Sequence, residues 1–527
     1  MPACPRTSIP TNRRPRRPSP TPSAGAGEVP LSEFTPTEGR GGLKADVLGT
    51  FDTIVMAIAG SAPAYSLAAS TVALLAAAGL FSPAALLWCA IPMLGIAWAF
   101  NYLGRLDVNA GASYSWVGRA LHPALGFAAG WSLVVSALIF MVAGSLPAGQ
   151  YTLSLFSASL AGNTWACVGV GAFVFLVMAL LVLLGARITA HAQWIMTGIE
   201  VLILAGFGIA ALIHGGSAAH FQWSWLWGFG HFGGFSGFAG AALVAAFYFW
   251  GWDVTANLSE ETTDSKKNSG MGGLLGVAAV FALFEIVTIA VNMMVSQKDI
   301  AGGAPFLNTL GEAVWPGAGG KIMVLAVVLS TVATLETTLI QISRSLFAMG
   351  RDKTLPAVFG KTHARWQTPY VALGVIVVIS LGLFVASSAL GSVTKILGDA
   401  VAAIGLQICV YYALAGIAVV VAYRKVAFKS LRNLIFVAVW PGAGAVFMGF
   451  LFIENCMNLP LTQILIGLGA LALGIVPLAI YWAKGSSFYT NPGARLDAAL
   501  ADAVDAEFGS SSLKTTAPHG GGVATDL

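Results

Sequence analysis

From Leu43 to Ala483 the chain contains no polar linker of the kind that separates soluble domains. It runs instead as a succession of apolar stretches, most of them near the ~20 residues that a helix needs to cross a bilayer. In water, 527 residues would divide into several cores joined by polar segments. Only 9% of the residues are charged, whereas soluble domains carry roughly 25%. A water-soluble enzyme and an intrinsically disordered protein are both excluded. The sequence reads as an all-α integral membrane protein.

Twelve stretches are long enough to span: 47–78, 83–103, 122–150, 165–185, 191–213, 236–259, 271–296, 321–349, 369–389, 396–422, 434–454 and 461–483. Twelve crossings put both termini on one side. With the N-terminus inside, the inner loops hold fourteen Lys and Arg, among them Arg187, Lys266, Arg344, Arg351, Arg365 and Arg424, and the outer loops hold three, Lys298, Lys321 and Lys395. That asymmetry predicts a multi-pass protein of the cytoplasmic membrane with both termini cytoplasmic. Residues 1–43, rich in Pro, Ser, Thr, Gly and Arg, read as a disordered basic tail. The run Arg13-Arg14-Pro15-Arg16-Arg17 lacks the apolar stretch that an export signal would place directly after it, and suits anionic head groups better. Residues 44–483 form the membrane domain. Residues 484–527 read as a second cytoplasmic tail, with a surface helix after Asn491-Pro492-Gly493.

Four of the five cysteines, Cys89, Cys167 and Cys409 within the spans and Cys456 two residues past the eleventh, lie in apolar stretches, where they pack as small hydrophobes. Neither they nor His214, His220 and His231 have metal-ligand spacing, so no metal site is expected.

Two spans carry interruptions. The first contains Ala59-Gly60-Ser61-Ala62-Pro63, where Pro63 removes a backbone donor and clashes with the preceding turn. A break at membrane depth exposes N–H and C=O groups, which the bilayer tolerates only where they line a cavity or meet a ligand. The sixth reads Phe247-Tyr248-Phe249-Trp250-Gly251-Trp252-Asp253, with a glycine and a carboxylate at mid-span. A charge at that depth costs on the order of 3 kcal/mol unless it is hydrated, paired or neutralised. Interrupted first and sixth helices are what an inverted repeat of helices 1–5 and 6–10 requires, with a binding site between the breaks.

Three stretches extend this reading. Asn109-Ala110-Gly111-Ala112-Ser113-Tyr114-Ser115-Trp116 is followed by Gly126-Phe127 and Gly130-Trp131. Trp250-Gly251-Trp252-Asp253 leads to Asn257 and Glu260-Glu261-Thr262. Ser343-Arg344-Ser345-Leu346-Phe347 is followed by Arg351-Asp352, Leu355-Pro356, His363 and Thr368-Pro369. In these the chain resembles the amino acid–polyamine–organocation family of secondary transporters over about residues 44–480. The resemblance implies the five-plus-five inverted-repeat fold and a substrate held between helices one and six. It implies substrate contacts at Ala59, Gly60, Ser61 and Ala62, at Phe247, which matches an aromatic that closes over the substrate, and at Trp250, Gly251 and Asp253. Relatives often read Gly-Ser-Gly in helix one; here Ala62 and Pro63 depart from that, and the added methyl narrows the approach to a substrate carboxylate. Many proton-coupled relatives place a lysine at mid-helix five, where this chain has Glu200. A buried carboxylate there can carry the proton itself, or bind sodium with a helix-eight hydroxyl such as Thr334.

Glu285 and Glu336 are further acids within the spans, and buried carboxylates there read as functional by default; Glu336 is expected to face the central cavity, and Glu285 has the alternative of pairing with a polar neighbour such as Asn292. Glu260 and Glu261 read either as an inner gate with Lys266 or Arg344, or as a solvated loop. The function expected is a permease that imports an amino acid or a related amine or polyamine by alternating access, in symport with H⁺ or else Na⁺, with no cofactor and no nucleic acid. The alternative is a sensor of the same fold that binds but does not transport. A two-halved facilitator would carry a long charged loop after span six, and residues 260–270 are short. ATP-driven transport would require Gly-x-x-x-x-Gly-Lys-Ser/Thr, which the chain lacks.

Overall fold

In the computed structural model, residues 42–215, 218–296, 306–389, 393–493 and 495–514 are described. The expected 1–43 tail, its arginine run and Lys298 lie outside them, save for residues 42 and 43. Among the described residues every regular element is helical, and one isolated parallel bridge joins Leu48 to Thr262. Ten helical segments are long and apolar enough to cross a membrane, and Gly237–Phe247 is a shorter apolar helix.

The first of the ten, Thr50–Leu106, is 57 residues long. At 1.5 Å per residue that would be about 85 Å, far beyond the ~30 Å of a hydrocarbon core. It is three helices: α1 (Thr50–Ser61), α2 (Pro63–Ala78) and, after a 3₁₀ turn at Gly79–Phe81, α3 (Ser82–Leu106). The α1–α2 junction follows from its sequence. A residue before proline is disfavoured in the right-handed helical region, and Ala62 leaves it for φ 48°, ψ 64°. Its N–H still reaches Ala59 O at 3.2 Å. Pro63 then opens α2 at the first helical position, where its missing N–H costs nothing.

Beyond α4 (Ser113–Ala120), the helices α5 (Pro123–Ser154), α6 (Thr164–Leu184) and α7 (Ala186–His214) run unbroken. The stretch expected as one span over 236–259 is not one helix. It is α8 (Phe235–Phe247), a six-residue turn and the four-residue α9 (Val254–Asn257). Gly251 adopts φ +96° in that turn, a value open to glycine and strained for other residues. α10 (Ser265–Met294), α11 (Gly319–Arg351), α12 (Tyr370–Ser387), α13 (Val393–Ala422) and α14 (Trp440–Asn458) follow, then α15 (Leu461–Leu473) and α16 (Ile475–Ala483).

The core is centred on α3, α5, α10, α11 and α13, which pack on one another, while α15 and α16 are largely exposed. Small residues allow the close crossings: a Cβ at Gly272 would strike Thr53 of α1, one at Gly276 would strike Ala57, and one at Gly273 would meet Thr255 and Trp252. The segment after α16 does not behave as a free tail. Phe488 stacks on Tyr114 with centroids 4.6 Å apart, Leu500, Ala501 and Val504 are buried, and Lys429 pairs with Asp502 at 3.1 Å. The Trp225 indole, between α7 and α8, is buried.

The two helix breaks touch through their backbones. A Cβ on Gly60 would collide with the Gly251 carbonyl, and a Cβ on Gly251 with the Gly60 carbonyl. Gly251→Ala combines that collision with a positive φ, so it is expected to cost about 2 kcal/mol or more. Its melting temperature in detergent should fall well below that of Gly240→Ala, a glycine with open space around it. Equal melting of the two variants would refute the contact.

Candidate functional site

At the first break the orphaned donors of α2 are answered by other helices. The Ala64 N–H donates to Glu200 Oε1 of α7 at 2.8 Å, and the Tyr65 N–H to Ser330 Oγ of α11 at 3.1 Å. Ser66 N–H returns to Ala62 O at 2.7 Å, which begins the intrahelical ladder. A carboxylate at a helix N-terminus faces the positive end of the macrodipole, so Glu200 sits where an anion is favoured. Its second oxygen, Oε2, has no hydrogen-bond partner, and the residue is wholly buried. On the α1 side, the Thr334 hydroxyl donates to Gly60 O at 3.2 Å, and Ser66 Oγ to Ser61 O at 2.9 Å. Ala59, Gly60, Ser61 and Ala62 are all buried at this junction.

At the second break Asp253 lies 1% exposed inside a ring of donors. Gln341 Nε2 of α11 donates to Oδ2 at 2.9 Å, and the Tyr411 and Tyr412 hydroxyls of α13 reach Oδ2 at 3.2 Å and Oδ1 at 3.0 Å. Trp250 Nε1 in turn donates to the Tyr411 hydroxyl at 2.8 Å, so the carboxylate ends a chain that begins on an indole. Phe247 lies beside Trp250 with centroids 6.5 Å apart, and Phe140 meets Trp250 edge-on at 5.3 Å. The result is a buried carboxylate held by neutral donors, with an aromatic cluster of Trp250, Phe247 and Phe140 linked to it through Tyr411.

Of the residues singled out from sequence, Ala59, Gly60, Ser61, Ala62, Gly251, Glu200 and Thr334 meet at the contact between the breaks. Phe247, Trp250 and Asp253 gather beside it. Glu336 meets a different neighbour: Gln193 Nε2 of α7 donates to its Oε2 at 2.6 Å and to Ala333 O at 2.9 Å, while Oε1 has no partner. Two residues along a helix are about 200° of rotation, so Thr334 facing α1 turns Glu336 toward α7. The alternative Glu285–Asn292 pair is absent. Seven residues are about 10 Å of rise, and Asn292 Nδ2 donates instead to Leu80 O at 3.0 Å.

One end of the bundle is closed by charge. Arg344 holds Glu261 in a two-pronged pair, Nε to Oε2 at 2.9 Å and Nη2 to Oε1 at 3.0 Å, with both side chains at most 1% exposed. Arg351 holds Glu260 at 2.9 Å and Asn109 Oδ1 at 3.2 Å, and Ala110 N–H donates to Glu260 Oε1 at 2.9 Å. Asn257 Nδ2 donates to Ala110 O at 2.7 Å and to Ser345 Oγ at 3.0 Å. Glu261 O accepts from Val47 N at 2.9 Å and Leu48 N at 3.1 Å. Glu261 thus pairs with Arg344, one of the two partners expected, while Glu260 pairs with Arg351, and the two acids do not form a solvated loop. Just past α11, burial raises the Asp352 carboxyl above the usual range, against the opposing pull of Arg351.

Sequence reasoning did not single out Gln341, Tyr411 or Tyr412. The signal was present as two adjacent tyrosines and a glutamine within apolar spans, where an unpartnered polar group is costly.

The sequence model of the amino acid permease family matches residues 48–475. The chain is 24% identical over 428 residues to the low-affinity putrescine importer PlaP of Escherichia coli K12, an alignment covering 75% of this chain and 85% of that protein. It is 25% identical over 292 residues to the methylthioribose transporter of Bacillus subtilis, covering 52% of this chain and 62% of that one. It is 25% identical over 277 residues to the branched-chain amino acid permease BcaP of the same organism, covering 50% and 58%.

Removing one partner of a buried ion pair strands the other charge, at a cost of about 3–5 kcal/mol. Arg344→Met alone is therefore expected to melt far below the wild type, and Arg344→Met with Glu261→Leu to recover much of the loss. A double variant that melts no higher than the single would deny the pair this role.

Proposed function

The chain belongs to the amino acid permease family, and we propose from that premise that it is a secondary active transporter importing a small amine or amino acid across the cytoplasmic membrane. The substrate lies between the two broken helices, against Ala59, Gly60, Ser61 and Ala62 on one side and Phe247, Trp250, Gly251 and Asp253 on the other. Glu336 belongs to the same set as its deeper acid, reached through Gln193 and the α7–α11 seam. The single observation that carries this reading is the backbone contact of Gly60 with Gly251, with a buried carboxylate beside it. Helices break at membrane depth where the freed groups serve a ligand.

The crossings number twelve when Thr50–Leu106 is divided at Gly79 and the interrupted 235–261 segment is counted with the ten. Helices 1–5 and 6–10 then form the inverted repeat, with both termini and the Arg344–Glu261 gate on the cytoplasmic side, a reading that the Lys and Arg distribution supports. Import proceeds by alternating access. The gate opens as α1 and α9 tilt, while α5, α6 and α11 hold still. Glu200 carries the coupling proton, or with Thr334 binds Na⁺. Its capping of α2 supports this role: a change of charge on Glu200 alters the bond that pins the break. Relatives that carry putrescine, methylthioribose and branched-chain amino acids share small size and a polar group rather than one substrate.

Counterflow in proteoliposomes tests transport itself: labelled putrescine or leucine should exchange against an internal unlabelled pool. Binding without exchange would favour the sensor. Asp253→Asn is expected to lower uptake at least about tenfold while the protein stays monodisperse, the loss of one charge-assisted contact. Full uptake by that variant would remove Asp253 from the site. Glu200→Gln should leave uptake indifferent to an imposed pH gradient, and an unchanged pH response would move coupling elsewhere.

A further inference from the structure

A pocket of about 300 Å³ lies outside the transport path, where the segment ahead of α1, the α6–α7 turn and the loop before α12 meet. Lys44, Arg187 and Arg365 bring three positive charges to it, with His191 and Trp366 beside them, and its lining contains no Asp or Glu. Among the described residues none of the three cations is held in an ion pair. The pocket also receives the start of the 29-residue α7. The Ile188 and Thr189 N–H groups turn back to Gly185 O at 3.1 and 3.2 Å, and the Ala186 and Arg187 N–H groups precede the helical ladder.

The three segments are fixed rather than tethered. Thr368 Oγ1 donates to Leu183 O at 2.8 Å, which ties the Arg365 loop to the end of α6. Val47 and Leu48 donate to Glu261 O, which ties the Lys44 segment to the exit of the second break. A concave surface with three unpaired cations in a rigid frame is built for an anion.

What lies beside the pocket identifies the anion. Ile188 of the lining is 45% exposed, and one turn beyond His191 the surface of α7 becomes apolar and exposed: Trp194 is 42% exposed, Ile195 66%, and the neighbouring Phe51 of α1 61%. The His191 ring lies 5.4 Å from Trp194, and Trp194 meets Phe51 edge-on at 5.3 Å, so the basic and apolar surfaces are continuous. A free anion would use only the first. A phospholipid would use both, and the tryptophan marks the level where head group gives way to chain. We propose that this pocket binds the head group of an anionic phospholipid, whose acyl chains lie along Phe51, Trp194 and Ile195.

The test uses the full chain in neutral detergent, titrated with phosphatidylglycerol, phosphatidylcholine or inorganic phosphate, and read by native mass spectrometry and thermal melting. Phosphatidylglycerol should remain bound and raise the melting temperature, and phosphatidylcholine should do neither. Each charge removed should weaken retention about fivefold, so Lys44→Gln with Arg187→Gln and Arg365→Gln should lose it by about a hundredfold. That variant should melt like the wild type in phosphatidylcholine. If it does not, Arg187→Gln and Arg365→Gln singly carry the same test, since both side chains are exposed. Retention undiminished in the variants overturns the site, and a shift fully reproduced by inorganic phosphate overturns the lipid. Neither result bears on transport.

Discussion

A bilayer supplies no water to answer a backbone group, so a helix that breaks inside it must have each freed N–H and C=O satisfied by the protein or by what it carries. The architecture follows from how that demand is met. Pro63 and Gly251 open two helices at mid-depth, and the openings are placed back to back so that each lies against the other's backbone. Three outside side chains complete the first: Glu200 and Ser330 on the donors of α2, and Thr334 on a carbonyl of α1. Because these groups come from α7 and α11, the junction ties the first broken helix to the rest of the bundle. Loosening any of them is felt at the break.

The second break distributes the same demand differently. Its carboxylate is dressed by Gln341, Tyr411 and Tyr412, all neutral donors, so Asp253 is solvated without being neutralised. The charge pairs gather instead at one end, where Glu260, Glu261, Arg344 and Arg351 join the exit of α9 to α11 and to the Asn109–Gly111 turn. The buried carboxylates at the breaks are thus met by neutral donors, and the ion pairs stand apart from them at one end.

Much of this was legible in the sequence because its cause is local. Pro63 comes beside Gly60 in an apolar run and the helix breaks there, whereas Pro92 and Pro147 are carried inside α3 and α5, and a glycine followed two residues later by an aspartate marks the second break. The three stretches that carried the family resemblance meet at the charged end: Asn109 and Ala110, Asn257 with Glu260 and Glu261, and Arg344 with Arg351 bond to one another. What stayed hidden depended on partners distant in sequence or on helix rotation. The partner of Glu200 is a backbone N–H, which no residue type announces. Tyr411 and Tyr412 lie some 160 residues beyond the aspartate they serve. The face taken by Glu336 was recoverable, since 100° per residue separates it from Thr334. The C-terminal helix was foreseen as an element, but its docking through Leu500 and Val504 depends on a surface assembled from loops far upstream.

The proposed substrate site is the junction of the two breaks, with Asp253. The most direct test is a thermal-shift panel on the purified protein, with the twenty amino acids, putrescine, spermidine and simple alkylamines. A ligand of the native state adds about 2.7 kcal/mol of stability at a hundred times its dissociation constant, and the melting temperature rises with it. The account predicts that at least one of these compounds stabilises the wild type and that Asp253→Asn abolishes that shift. A compound that stabilises both proteins equally would place the binding site elsewhere and contradict it.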